Sequence, residues 1–175
     1  MTIVPMTSGD ASRVSHIYAA SWKAAYRGIV PQDYLDSLDP EYWTPFFSDP
    51  GRVGFLLRVD GRDAGAVAIC PARDEAMPGW GELISIYLLP EYQGRGYGRR
   101  LFSHALGELG KLGFPNVYLW VLEENAPARR FYELCGFAPT GDRCCFTIGG
   151  RELAEVRYVG STEGILSLGE KEVSR

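Results

Sequence analysis

Apolar residues recur along this chain with two alternating periods, three to four residues in some segments and two in others. Ile3 to Met6 is a short apolar run. Thr7 or Ser8 then caps a helix whose apolar positions Val14, Ile17, Tyr18, Trp22 and Ala25 keep helical spacing up to Gly28. Pro31 suits the first turn of a second helix carrying Tyr34, Leu35 and Leu38, and Pro40 that of a third running into Phe46 and Phe47. Gly51 to Val59 and Asp63 to Cys70 read as strands of an antiparallel hairpin, because Asp60-Gly61 between them tolerates positive φ. Gly81 to Leu89 is a third strand, stopped by Pro90. Leu101, Phe102, Ala105, Leu106, Leu109 and Leu112 make the stripe of an amphipathic helix that Gly113 ends. Asn116 to Leu122 is a further strand, and Asn125 caps a helix with Pro127 in its first turn and Gly136 at its end. Ala138 to Ile148 and Glu152 to Val159 close the pattern as a hairpin turned at Gly149-Gly150.

The strand, helix, strand order from Leu83 to Leu122 demands a crossover, and therefore one parallel pair inside an otherwise antiparallel sheet. The expected fold is mixed α+β. It has one domain over residues 1–160, a mostly antiparallel sheet of six to seven strands with a central parallel pair, flanking helices, and a tail at 161–175. The length of 175 residues suits one domain, and 46% hydrophobic residues suffice for one core. No repeat or low-complexity linker divides the chain.

Charge narrows the function. A net charge of −4 argues against a general nucleic-acid binder, so an anionic ligand would need a local basic patch. Residues 1–10 lack a basic start followed by an apolar run, and no apolar stretch nears the ~18 residues of a membrane span. The chain therefore reads as cytoplasmic, without a membrane partner. Cys70, Cys135, Cys144 and Cys145 show no CxxC spacing, and His16 and His104 are the only histidines, so no metal is expected. Cys144 and Cys145 are neighbours in a strand, which predicts one buried and one surface thiol.

The segment that carries chemistry runs from Ile86 to Leu101, a strand entering a helix through Gly94, Gly96 and Gly98. A helix N-terminus leaves backbone N–H groups unpaired and carries about half a positive charge, so glycines that admit a ligand there create an anion site. Arg95, Arg99 and Arg100 supply the basic patch. The loop is not a P-loop, since Gly98 is followed by Arg99-Arg100 instead of Lys-Ser/Thr. Nor is it a dinucleotide fingerprint, because Arg99 stands where the third glycine belongs.

The spacing Gln-x-x-Gly-x-Gly, met by Gln93, Gly96 and Gly98, resembles the GNAT superfamily of acyl-CoA-dependent N-acyltransferases. The stretch from Asn125 to Phe137, an Asn followed by a helix with Tyr132 and then Gly136-Phe137, is similar to that family's second signature. Trp22 to Pro31 looks like the opening of bacterial members that act on small or unidentified acceptors.

The resemblance implies that acetyl-CoA is the co-substrate and an amine the acceptor. It implies that Ile86, Tyr87 and Leu88 pair with the pantetheine arm and that the Leu88 N–H faces the thioester carbonyl. Gln93, Gly94, Arg95, Gly96, Tyr97, Gly98 and Arg99 would hold the pyrophosphate, and Asn125 would contact the cofactor arm. Tyr132 matches the tyrosine that protonates the departing thiolate. Glu82 matches the glutamate base of histone-modifying members; lying an even number of residues from Ile86, it is expected on the same face, with burial raising its pKa. Glu123 and Glu124 are rival bases, and Cys135 is a weaker candidate for a covalent route, lacking a histidine. Trp120 stands where some N-terminal acetylating members carry a glutamate.

Trp22 and Tyr26 are the candidate acceptor residues. Tyr34, Tyr42, Trp43, Phe46, Phe47, Asp33, Asp36 and Asp39 are further candidates that core packing or a solvated surface explains as well. A CoA-binding sensor without an acceptor, a protein lysine or N-terminal acetyltransferase, and a different acyl group all stay open at this point, as does a homodimer.

Overall fold

A computed structural model of the chain describes residues 1–49 and 53–163. Its strands are β1 (Thr2–Pro5), β2 (Val53–Val59), β3 (Arg62–Pro71), β4 (Gly81–Leu88), β5 (Asn116–Leu122), β6 (Ala138–Ile148) and β7 (Arg151–Ser161). They form one sheet in the order β1-β2-β3-β4-β5-β7-β6, antiparallel throughout except for β4 and β5. The helices are α1 (Ala11–Ala25), α2 (Gln32–Ser37), α3 (Thr44–Phe47), α4 (Tyr97–Lys111) and α5 (Ala126–Leu134). This is the mixed fold expected. Both hairpin turns form at the anticipated pairs, Asp60-Gly61 with φ of 50° and 77° and Gly149-Gly150 with φ of 56° and 81°.

The helices cover the sheet on both faces. The α4 stripe of Leu101, Phe102, Ala105, Leu106 and Leu109 is wholly buried against Leu57, Val67, Ile69, Val117 and Leu119. Burial of each such Leu or Phe contributes ~1.5–3 kcal/mol, and this holds the crossover helix down. On the other face Val14, Ile17 and Tyr18 of α1 and Phe47 of α3 pack on Leu56, Ala66 and Ala68. Thus alternate residues of one strand serve two cores. Among the described residues no helix is long and apolar enough to cross a membrane.

A bulge in β4 shapes everything nearby. Ala68 of β3 lies opposite Ser85, but Ile69 lies opposite Leu83, leaving Ile84 as an extra residue. Leu83 and Ile86 consequently face α4, while Ile84 and Tyr87 face α1. Glu82, next to Leu83, lies on the α1 side. The expectation that Glu82 and Ile86 share a face is therefore corrected, because simple alternation does not survive an inserted residue. β4 and β5 pair only at Gly81 with Val117 and Glu82 with Tyr118, and then part.

Three further expectations change. The third helix starts at Thr44, not at Pro40, because the Asp39 carboxylate accepts from the Glu41 N–H at 2.8 Å and holds residues 39–44 in turns. Cys144 and Cys145 are both exposed, since β6 is an edge strand whose residues 138–145 have neither face covered. β7 runs to Ser161, and Thr162 donates to the carbonyls of Phe114 and Pro115 at 3.1 and 3.2 Å. Gly51 and Arg52 of the expected second strand, and positions 164–175 of the expected tail, lie outside the described residues.

Candidate active site

Where β4 and β5 part, a cleft of about 750 Å³ passes between them and joins the two faces of the sheet. Phe131 and Tyr132 of α5 reach it from one side, and Tyr26 of α1, Tyr87 of β4 and Glu155 of β7 from the other.

One end of the cleft is the N-terminus of α4. Gly94 and Gly96 have φ of 71° and 78°, a region in which a side chain is strained, and Gly96 is the residue from which the helix starts. The first helical hydrogen bond runs from the Arg100 N–H to the Gly96 carbonyl at 3.3 Å. The amides of Tyr97, Gly98 and Arg99 precede it and have no acceptor within the helix. The result is a cradle of N–H groups with the helix dipole behind it, suited to phosphate. Gln93, Gly94, Gly96, Gly98 and Arg99 line the cleft. The side chains of Arg95 and Tyr97 do not: Arg95 is exposed, and Tyr97 lies against Tyr92 with ring centroids 6.4 Å apart.

The edge of β4 supplies the cleft wall. The Leu89 N–H donates to Ala64 of β3 at 2.9 Å, so in the alternating ladder Leu89 and Tyr87 bond β3. The amides and carbonyls of Leu88 and Ile86 then turn the other way, into the gap left by β5. The Leu88 carbonyl accepts from Ser21 Oγ and from Gln93 Nε2, each at 3.0 Å. Those two bonds fix the Leu88 carbonyl, and the Leu88 N–H, which belongs to the preceding peptide, turns to the same gap.

Tyr132 is 7% exposed and lines the cleft, and its hydroxyl has no hydrogen-bond partner among the described residues. Burial pushes its pKa well above the usual phenol, with Tyr26, Cys135 and Tyr18 adding to the rise, so it is a protonated donor. Tyr26 and Tyr87 share a hydrogen bond of 2.9 Å across the opening, and burial pushes Tyr26 up to about 12. Asn125 caps α5 by accepting from the Ala128 N–H at 3.2 Å, and it also lines the cleft. The helix cap is thus formed, and the residue lies at the cleft.

Glu82 stands apart from the cleft lining. It is 3% exposed and accepts from the Tyr118 hydroxyl at 2.7 Å and from Arg73 Nε and Nη2 at 3.0 and 2.5 Å. Burial pushes the carboxyl up, but the Arg73 and Tyr118 hydrogen bonds outweigh it and hold the pKa below the usual carboxylate value. The expected rise toward neutrality is thus reversed. Glu123 and Glu124 are engaged on the surface, with Arg143 and Arg151, each at 3.0 Å. Tyr42 is 60% exposed, and Phe47 and Trp43 pack in the α1 core.

Among the polar residues of the cleft, Ser21, Ser85 and Glu155 escaped the sequence reading. Ser21 was hidden as one small polar residue inside a helix. Glu155 sits between Ala154 and Val156 on β7, where a carboxylate in an apolar strand was the available signal. Beside Glu155 the cleft continues into a chamber of about 210 Å³ walled by Trp22, Tyr26, Leu122, Phe146 and Ile148. Among the described residues no cluster of His, Cys, Asp and Glu could hold a metal ion.

A mostly antiparallel sheet parted above a glycine-started helix, with a strand amide and a tyrosine at the gap, defines an acyltransferase domain. The chain belongs to the acetyltransferase (GNAT) family, whose pattern matches residues 13–137. It is 32% identical to the uncharacterized N-acetyltransferase YuaI of Bacillus subtilis over 84% of this chain and 85% of that one. It is 35% identical to the ribosomal protein bS18 alanine N-acetyltransferase of Escherichia coli over 53% of this chain and 60% of that one. The fold is similar to that of the PaiA N-acetyltransferase of Thermoplasma acidophilum, solved with coenzyme A, at a TM-score of 0.71 and 21% identity over 92% of this chain and 99% of that one.

Proposed function

We propose that the protein transfers an acetyl group from acetyl-CoA to the primary amine of a small molecule, by direct attack within a ternary complex. The observation that carries this reading is the meeting of the Leu88 N–H edge and the unbonded Tyr132 hydroxyl at one gap, beyond the anion cradle of α4. The cradle amides and Arg99 hold the pyrophosphate, and the pantetheine arm pairs with Ile86 and Leu88 in the place β5 has vacated.

The chemistry follows from those groups. The neutral amine adds to the thioester carbon, and the Leu88 N–H stabilises the oxygen as it gains negative charge. The C–N bond forms and the C–S bond breaks. Tyr132 gives its proton to the sulfur and regains one from the acylated nitrogen, so protons balance. A covalent route through Cys135 is disfavoured, since the thiol is 5% exposed and burial pushes its pKa up, away from the thiolate.

The test is thiol release from acetyl-CoA by the full chain across a panel of amines, with mass spectrometry of the product. Release that depends on the amine and yields its N-acetyl derivative supports the reading. No release with any amine, while coenzyme A still binds by calorimetry, overturns it in favour of a CoA-binding module without an acceptor.

A further inference from the structure

The chamber beside the cleft has a one-sided chemistry. Its walls are the side chains of Trp22, Tyr26, Tyr87, Leu122, Phe146 and Ile148, and its single carboxylate among the described residues is Glu155, which also lines the main cleft. Among the described residues no Lys, Arg or His lines the chamber. The two phenols bond each other, which leaves little to satisfy further polar groups. At about 210 Å³ the space is below the roughly 300–1,000 Å³ of a drug-sized ligand site.

Glu155 itself has no hydrogen bond or ion pair among the described residues. Strand alternation accounts for its direction. Val156 and Tyr158 of β7 pack in the α4 core, so Glu155 faces the α1 side. Around it stand Tyr26 from α1, Tyr87 from β4, Tyr132 from α5 and, as its cross-strand neighbour on β6, Cys144. β5 contributes the uncharged Trp120 and Leu122. The nearby cations are already engaged, Arg73 with Glu82 at 2.5 Å and Arg157 with Asp74 at 2.6 Å. Burial raises the Glu155 pKa, with Arg73 acting against the rise, so it is a stronger base than a surface carboxylate.

Resting on the transferase reading above, we infer that the acceptor is a primary monoamine with a compact aryl or branched-alkyl body and no carboxylate, whose ammonium proton is taken by Glu155. An ammonium arriving at this carboxylate meets the one negative group of the chamber, while Trp22 and Tyr26 receive the apolar body and offer ring faces to the cation. The proton passes from nitrogen to Glu155 and then to solvent, which frees the lone pair for attack. The second nitrogen proton goes to Tyr132 as described. An amino acid would bring its own carboxylate beside Glu155 into walls without a cation, and a peptide would bury amides without partners.

The experiment compares phenethylamine and isopentylamine with phenylalanine, a linear diamine and a lysine-bearing peptide, using the full chain and acetyl-CoA. Phenethylamine and phenylalanine differ only by the carboxylate. The expected result is a kcat/KM for phenethylamine roughly 10-fold or more above phenylalanine and the peptide. Equal or better turnover of phenylalanine or the peptide overturns the inference while leaving the transferase reading intact; silence with every amine overturns the transferase reading itself.

Glu155→Gln tests the proton acceptor. Turnover should fall about 10²-fold at neutral pH, with coenzyme A affinity by calorimetry unchanged, which also reports that the variant is folded. In the parent, kcat/KM should level off once Glu155 ionises. In the variant it should keep climbing toward the amine pKa of about 10.4, because only amine deprotonated in solution can react. A variant whose pH profile matches the parent removes Glu155 from the reaction.

Discussion

The Tyr118 hydroxyl donates to the Glu82 carboxylate at 2.7 Å across the last rung that β4 and β5 share before they part. Arg73 closes the same carboxylate from the β3–β4 connection. The burial that raises the Tyr118 pKa to about 12 keeps its proton in place as the donor. This cluster ties β4 to β5 at the rung where their pairing ends.

Glu82→Ala is therefore expected to act on stability. It strips a charged acceptor from the buried Tyr118 hydroxyl, while Arg73, about half exposed, falls back on water; the loss should be about 2–3 kcal/mol by chemical denaturation. The pH dependence has a definite sign. With the folded pKa below the usual 4.5, the contribution of Glu82 is present above the unfolded pKa and lost as pH falls through the folded one. The gap between the urea midpoints of parent and Glu82→Ala should narrow as pH falls below the usual carboxylate value of 4.5. A variant of unchanged stability but abolished turnover would return Glu82 to the chemistry.

Tyr132→Phe separates chemistry from packing. Because the hydroxyl has no partner among the described residues, its removal should leave stability nearly unchanged. Turnover should fall by about 10²-fold or more, with coenzyme A affinity held. Steady-state kinetics beside calorimetry reads both quantities, and unchanged turnover removes Tyr132 from the reaction.

Gly96→Ala tests the anion cradle. Space is not the obstacle, since a Cβ there would meet nothing within 4 Å, but the φ of 78° strains any side chain. The cost of holding alanine in that region is ~1–2 kcal/mol. Relaxation of the loop would also turn the first amides of α4 away from the phosphate. Coenzyme A binding should weaken by about 10-fold on titration calorimetry.

Gly160→Ala tests the sheet at the far edge of the core. The added Cβ would lie 2.4 Å from the Phe137 ring, and Phe137, 4% exposed, has no room to retreat. Overpacking of this kind costs ~1–3 kcal/mol, so the thermal midpoint should drop while the cleft chemistry persists. An unchanged midpoint would mean that Phe137 moves more freely than its burial implies.

The element order, both tight turns, the crossover and the glycine cradle were legible in the residues themselves, because each depends on local propensity and periodicity. Gln93, Gly96, Gly98, Asn125 and Tyr132 were marked out by the resemblance to the family's two signatures, and all of them line the cleft. The bulge at Ile84 was not legible. It arises from how β4 fits against β3, and it moved Glu82 to the face opposite Ile86. The pKa of Glu82 likewise depended on Arg73 and Tyr118, which are 9 and 36 residues away. Glu155 became a cleft residue only when β7 inserted beside β5, and Cys144 and Cys145 became exposed only because β6 lies at the edge. Periodicity along one segment says which residues share a face; what covers that face, and which charge waits there, is decided by strands and helices that arrive from elsewhere in the chain.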